Sequence, residues 1–185
     1  MGGLARRISL VALLIATLSG LRAAAGDAPP SADQVLAEAK AEAASQHKGI
    51  FLIFGASWCG WCRRLEQFNH VPEVSAILDK TFVIVHLTVQ EHKEKAQLDN
   101  PGAQELMKSL GGQGGLPFFA FLDGDGKPIV TSNRPPEGQK GDTNIGFPGE
   151  PQEIAWFLTM MRKVVPSLSA GQVQVLEDQI HRQLP

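Results

Sequence analysis

The segment that most constrains the fold is an unbroken run of five apolar residues, Ile50–Phe54, which lies between Gly49 and Gly55. A run of this length bounded by glycines is typical of a strand buried on both faces, as in a parallel sheet. A second stretch, Phe82–Val89, predicts another strand, and the helical pattern between the two completes a β-α-β unit. The chain is therefore expected to build layers of helices on a central sheet.

The remaining elements are predicted from apolar periodicity, capping residues and turn residues. They are a helix from Ser31 to about Gln46, a helix after Asn100, a β-hairpin over 118–130, a helix over 154–165 and a final weaker helix after Ser169. The Pro- and Gly-rich stretch 131–149 is predicted to be a surface loop that could face a substrate. This order of elements predicts an α/β layered domain with a helical tail.

Length and composition exclude several classes of protein. The 185 residues suit one domain, and 43% of them are apolar, enough for a buried core. The formal net charge of −2 gives no basic excess for binding nucleic acid. Two cysteines can build neither a disulfide-rich scaffold nor, by themselves, a four-ligand zinc site.

The N-terminus has the pattern of a secretory signal peptide over residues 1–25. Arg6 and Arg7 precede a short, mostly apolar stretch, Ile8–Leu21, and small residues at Ala23 and Ala25 fit a cleavage site. Cleavage would remove three arginines and no acidic residue, so the formal charge would fall from −2 to −5. The alternative is an uncleaved membrane anchor, but the stretch is shorter than the ~20 residues of a typical span. We expect an exported protein, periplasmic or extracellular, in a compartment where disulfides persist.

Both cysteines, Cys59 and Cys62, lie where the first strand passes into a helix. The orphan amides and the dipole at a helix N-terminus favour the thiolate of Cys59, and a thiolate is the species that attacks a disulfide. Cys62 lies one turn further on, within reach of the first sulfur, and can resolve the mixed disulfide. The dithiol carries both electrons, so no bound cofactor is expected.

Two plainer interpretations of the pair compete with redox chemistry. A structural disulfide across two residues closes a small loop and stabilises little. Half of a zinc site needs two further ligands, and the histidines are scattered, so no metal site is expected; they are His47, His70, His86, His92 and His181. A C-x-x-C motif beside a β-α-β pattern favours the redox interpretation.

Residues beside the cysteines are candidates for contacting a substrate. Trp58 and Trp61 offer aromatic faces to apolar side chains, although partial burial against the domain is the alternative. Gly60 would let a partner chain approach closely. The segment Asp123–Lys127 is predicted to be a turn, because it fails the EF-hand pattern.

Several motifs together resemble the thioredoxin superfamily, in particular an exported bacterial branch. They are Trp58–Cys62, Gly115–Phe118, Phe121–Lys127, Gly146–Phe147 and the stretch from Val71 to Phe82. The resemblance implies a thioredoxin fold, a central mixed sheet flanked by helices, with an N-terminal helix and a C-terminal helical tail. We therefore divide the chain into a signal peptide (1–25), a flexible leader (26–30), a thioredoxin-like domain (31–165) and a C-terminal helical extension (166–185).

The resemblance also implies roles for individual residues. It implies that Pro117 follows a cis peptide bond and that Leu116 presents its backbone to an extended substrate. It places Ile53 where thioredoxin has a buried acid, a departure that leaves Cys62 without that proton acceptor. In thioredoxin a lysine pairs with this acid, and the resemblance aligns His86 with that lysine. His86 is therefore either a substitute proton acceptor for Cys62 or a residue that only packs on its strand. Glu66 is expected to be solvated on its helix face.

The sequence thus predicts an exported thiol–disulfide oxidoreductase that exchanges disulfides with protein or peptide substrates and with a redox partner. One alternative is a binding or assembly module that uses the groove without turnover. Another is an oxidant or isomerase instead of a reductant. In the reduced protein we expect the sulfur of Cys59 to be exposed and Cys62 to be buried.

Overall fold

The structure is a computed structural model and describes residues 28–113, 115–135 and 143–185. The predicted signal peptide, residues 1–25, lies outside these ranges, as do residues 26 and 27 of the leader. Within the described ranges no helix combines the length and the apolar character that crossing a membrane would require.

Four strands form one mixed sheet, in the order β2-β1-β3-β4. They are β1 (Gly49–Gly55), β2 (Phe82–Thr88), β3 (Phe118–Leu122) and β4 (Pro128–Thr131). Strands β1 and β2 are parallel, whereas β3 is antiparallel to both β1 and β4. The predicted thioredoxin fold is confirmed in this arrangement, including the hairpin of β3 and β4.

Helices cover both faces of the sheet. They are α1 (Ala32–Gln46), α2 (Gly60–Asn69), α3 (Pro72–Leu78), α4 (Ala103–Ser109), α5 (Pro151–Val164) and α6 (Ala170–Gln183), with a 3₁₀ helix over Lys93–Leu98. The capping boxes predicted at Ser31 and Ser169 are both present. The helix expected after Asn100 begins at Ala103, because Gly102 in the left-handed region is its N-cap.

Strand β1 is buried on both faces, as its apolar run predicts. On one face Phe51 and Ile53 pack with α2, α3, α5 and α6. On the other face Ile50, Leu52 and Phe54 pack with α1 and α4. The sheet therefore has a core on each side, and the C-terminal end of β1 projects towards the cysteine motif.

The ends of the predicted 131–149 loop are more regular than expected. Arg134 N–H donates to the Thr143 carbonyl, and Ile145 N–H donates to the Ser132 carbonyl, both at or below 3.0 Å. Ser132 is fully buried, and its Oγ accepts the N–H of Phe119 at 3.0 Å. Backbone pairing thus extends beyond β4. Apolar periodicity does not predict this pairing, because the stretch is polar. Residues 136–142 lie outside the described ranges.

Candidate functional site

Cys59 and Cys62 form a disulfide, with their Cα atoms 5.3 Å apart. Cys59 is the N-cap residue of α2, and its Sγ accepts the backbone N–H of Cys62 at 3.1 Å. The predicted position of the pair, at the junction of a strand and a helix, is confirmed. An amide directed at Sγ of Cys59 would stabilise negative charge on that sulfur when the pair is reduced.

The two cysteines differ in burial, but the expectation for their sulfurs concerns the reduced protein and stays a prediction. In the disulfide form Cys59 is 3% exposed, whereas Cys62 is half-buried. Motif position shows which cysteine leads the helix, but it does not show how the turn before it packs. That turn is closed by the hydrogen bond from Cys59 N–H to the Ala56 carbonyl, at 3.0 Å.

Cys62 lines a cavity of about 270 Å³ between α2 and the sheet. Ile53 and Gly55 contribute from β1, and Glu66 and His86 contribute from α2 and β2. His86 is the register partner of Ile53, so in this parallel pair the two side chains share a face of the sheet. The structure therefore places His86 on the same cavity as Cys62, while the position of the missing acid is filled by apolar Ile53.

His86 is an exposed residue of β2, and its surroundings favour the neutral imidazole. Desolvation by the surrounding protein lowers the pKa of His86 below its usual 6.5, Glu66 opposes this shift, and His70 adds to it. A neutral imidazole can accept a proton at neutral pH. Glu66 is exposed, as expected, but it also lines the cavity. Its spacing of four residues from Cys62, one helical turn, is the sequence signal for this second contribution.

The peptide bond between Leu116 and Pro117 is cis, as the resemblance implies. Phe118 pairs with Phe54, so Pro117 lies across from Gly55 at the end of the sheet that carries the cysteine motif. Asn144 Nδ2 donates to the carbonyls of Gly115 and Pro117, at 3.0 and 3.1 Å. The far end of the 131–149 segment thus holds the proline loop, a contact that no sequence motif predicts.

A groove of about 390 Å³ runs beside this proline loop. Leu116 lines it together with Trp61, Gly146 and Phe147. Leu116 is half-buried where it lines this groove. An extended chain in this groove would pass over Trp61, the residue that precedes Cys62.

Both tryptophans of the motif are exposed but anchored. Trp58 is 44% exposed, its Nε1 donates to the Gln90 carbonyl at 2.8 Å, and its ring stacks on His92. Trp61 is 45% exposed and stacks on Phe147 with ring centroids 6.3 Å apart. The expected partial burial against the domain is confirmed for both rings, and Arg64 also lies over the Trp61 ring, 5.3 Å from its centroid. Contact of either ring with a substrate stays a prediction.

A carboxylate fixes the turn that precedes the cysteines. The N–H and Oγ of Ser57 both donate to Glu91, and the backbone hydrogen bond lowers the pKa of that carboxyl. Gln90, beside it, has a φ of 59°, in the left-handed region. No sequence pattern points to Glu91, because the polar segment after β2 has no motif that connects it with Ser57.

The part of the chain that the structure describes contains no group of three or more His, Cys, Asp or Glu residues suited to a metal ion. The side chains that carry thiol chemistry at this site are Cys59 and Cys62.

Comparison with protein families gives one match, to a family model described as thioredoxin-like, over residues 31–124. This range holds the cysteine motif, Ile53, His86 and Pro117. A curated relative, the uncharacterized protein B0495.5 of Caenorhabditis elegans, is 32% identical over 113 residues. The match covers 60% of this chain and only 15% of that relative, so the chain spans a small part of the relative's length.

Three solved structures are similar to this chain over part of its length. A disulphide isomerase from Xylella fastidiosa Temecula1 is 29% identical, with a TM-score of 0.46, over 57% of this chain and 76% of that one. A protein described as DsbH oxidoreductase is 20% identical, with a TM-score of 0.46, over 75% and 87% of the two chains. A thioredoxin from Thermus thermophilus is 22% identical, with a TM-score of 0.43, over 73% and 84%.

Proposed function

The chain belongs to the thioredoxin-like family, and on that premise we propose that it is a thiol–disulfide oxidoreductase acting on protein or peptide substrates. The observation that carries the proposal is the disulfide between Cys59 and Cys62 at the N-terminus of α2. A closed, redox-active pair in this position can pass two electrons to or from a substrate without a cofactor.

In the reducing direction the Cys59 thiolate attacks one sulfur of a substrate disulfide. A mixed disulfide forms, and the second substrate sulfur leaves as a thiolate. The Cys62 thiolate then attacks Sγ of Cys59, which forms the 59–62 disulfide and releases the first substrate sulfur. The substrate gains two electrons, the protein loses two, and a redox partner carrying a dithiol restores the reduced pair. An oxidant runs the same steps in reverse.

Access to Cys59 depends on the residue that follows it. Gly60 is exposed, and a Cβ at that position would meet only the guanidinium of Arg63, at 3.7 Å. The absence of a side chain lets a substrate sulfur approach along the helix N-terminus. We assign Trp58, Trp61, Leu116 and Pro117 to substrate contact, because the groove and the exposed indole faces adjoin the motif.

Resolution requires that Cys62 lose its proton. Ile53 offers no acceptor, whereas His86 lines the same cavity as Cys62. The cavity is large enough for several water molecules, which could connect the thiol to the imidazole. We assign His86 as the proton acceptor and Glu66 as the carboxylate that modulates it.

Export is part of the proposal and rests on the N-terminal pattern of basic, apolar and small residues. Mass spectrometry of the protein recovered from a periplasmic or culture fraction tests it. An N-terminus at Gly26 supports cleavage after Ala25. A chain that retains residues 1–25 in the membrane fraction contradicts it.

The central experiment is trapping. Cys62→Ala should accumulate mixed disulfides with partners, because Cys59 can attack but nothing resolves the adduct. Cys59→Ala is the matched control and should trap far less. If neither variant captures a partner and the wild type does not turn over a model disulfide, the protein is a binding module instead. A reduction potential near about −270 mV would indicate a reductant, and one near about −120 mV an oxidant.

A further inference from the structure

The outer edge of β2 points to a second binding site, which the cysteines do not line although Glu66 and His86 belong both to it and to the cavity of Cys62. Strand β2 is terminal in the sheet and, within the described ranges, pairs only with β1. The polar backbone groups of Thr88 point outwards, since its N–H donates to Asn100 Oδ1 at 2.7 Å and its carbonyl accepts Asn100 N–H at 2.9 Å. Residues at alternate positions face the same edge, so Ile84 and His86 also direct their N–H and C=O groups outwards.

The two edges of the sheet differ in how they are protected. Strand β4 starts with Pro128, follows Lys127 and pairs with β3 through an irregular register at Phe121 and Leu122. Proline, lysine and bulges are devices by which proteins block the addition of another strand. Strand β2 contains neither proline nor lysine, and its register with β1 is regular throughout. Asn100 occupies the outward backbone groups of this edge at Thr88 only.

A groove of about 600 Å³ lies along the open part of the β2 edge. Its floor includes Phe82, Val83, Ile84 and His86. Its walls come from both helical layers: residues of α1 and the turn after it on one side, and residues of α2 and α3 on the other. The polar wall residues are Glu42, Lys48, Glu66, Asn69, His70, Ser75 and Asp79. The groove therefore lies where a fifth strand would extend the sheet.

Asn69 supplies independent evidence for a polar ligand. Its side chain is 5% exposed, and neither Nδ2 nor Oδ1 has a hydrogen-bond partner. A buried amide without partners is destabilising, so such a group calls for an explanation. A carboxamide offers donors and an acceptor together, which matches the C=O and N–H groups of an extended backbone.

The charged groups that line the groove determine which extended segments it favours. Three carboxylates, those of Glu42, Glu66 and Asp79, line the groove together with one ammonium group, that of Lys48. We propose that this groove binds an extended, positively charged segment of a partner protein, which adds to β2 as a fifth strand. The backbone groups of Ile84 and His86 pair with the added strand, and Asn69 pairs with its backbone. This proposal does not depend on disulfide exchange by Cys59 and Cys62.

Hydrogen exchange measured by NMR on the full chain in its disulfide form tests the proposal. The probe is a short capped peptide that alternates lysine with threonine. At saturation we expect exchange of the Ile84 and His86 amides to slow by about tenfold or more, as ladder hydrogen bonds form. The Leu87 amide, which faces β1, is the internal control and should not change. A peptide with glutamate in place of lysine should bind at least about tenfold more weakly, because the carboxylates repel it.

Two variants separate strand addition from nonspecific attraction. Ile84→Pro removes an outward N–H and should abolish protection, whereas Ile84→Thr keeps the N–H and should retain it. Asn69→Leu should weaken binding by about three- to tenfold, the value of a lost hydrogen bond. Leucine also removes an unpaired buried amide, so this variant should unfold at the same or a higher temperature, and its binding loss is not a folding defect.

Three outcomes would overturn the proposal. One is an absence of protection at millimolar lysine peptide. Another is equal binding of the lysine and glutamate peptides. The third is protection of the Ile84 and His86 amides without peptide, with light scattering showing a dimer, because a second copy of the chain would then occupy the edge.

Discussion

Gly55 leaves the space beside Sγ of Cys62: a Cβ built on Gly55 would lie 3.3 Å from that sulfur and 3.4 Å from Cβ of Cys62. Such contacts are tight, so an added methyl group requires the disulfide or β1 to shift. Gly55, the last residue of β1, thus lies so close to Cys62 that a side chain at position 55 would crowd the cysteine. This packing sets how closely α2 approaches the sheet.

Gly55→Ala should lower the free energy of unfolding of the oxidised protein by about 1–2 kcal/mol, the usual cost of overpacking a filled site. Urea denaturation measures it. In a Cys62→Ala background the sulfur is gone, so the same substitution should cost less. Equal costs in the two backgrounds would show that the sulfur does not limit the space at Gly55.

His86→Leu should slow the resolution step by about a hundredfold at neutral pH, at the lower end of what a general base contributes. Single-turnover kinetics separate this step from the attack by Cys59, which should change little. Because desolvation lowers the pKa of His86, the wild-type advantage should persist below pH 6.5 and vanish only as the imidazole protonates. Arg63 and Glu66 are the charged groups that share this cavity.

His70→Leu is the matched control for His86→Leu. His70 lies in the groove along β2 but does not line the cavity of Cys62. Its loss should leave the resolution rate within about twofold of wild type, since its effect on His86 is a secondary one. A similar slowing in both variants would remove His86 from the mechanism.

Glu66→Gln should move the titration midpoint of the His86 ring to lower pH. The Glu66 carboxylate favours the imidazolium, and the neutral amide cannot. NMR titration of the ring protons measures the midpoint directly. A midpoint that stays in place or rises would show that Glu66 and His86 are not coupled across the cavity.

Protonation of Glu91 should release the turn before the cysteines. The two hydrogen bonds from Ser57 lower the pKa of Glu91, so their contribution is present above about pH 4.5 and is lost as pH falls through the lowered value. The chemical shift of the Ser57 amide should follow this titration. Glu91→Gln should abolish the transition, and a wild-type midpoint at or above 4.5 would contradict the prediction.

Ser132→Ala should destabilise the protein by about 1–3 kcal/mol, because it leaves the buried N–H of Phe119 without its acceptor. Ser109→Ala is the control: that hydroxyl is exposed and donates to the Leu106 carbonyl, so its loss should stay within about 0.5 kcal/mol. Thermal unfolding compares the two. Equal effects would mean that the Ser132 hydrogen bond does not support the end of β4.

Features that depend on near neighbours follow from the amino-acid sequence alone. Five apolar residues between glycines predict β1, a serine three residues before a glutamine predicts each capping box, and C-x-x-C after a strand places Cys59 at a helix N-terminus. Each of these follows from backbone geometry over a few residues, so it can be derived without knowing what the chain packs against.

Which distant residues meet depends on tertiary packing. The parallel register of β1 and β2 brings His86 beside Ile53 and onto the cavity of Cys62, and the turn after β1 buries Cys59 more than Cys62. The unpaired amide of Asn69 beside the open edge of β2 was likewise invisible in the sequence. Strand register and side-chain burial depend on how the sheet and both helical layers pack together. A local sequence pattern contains no information about this packing.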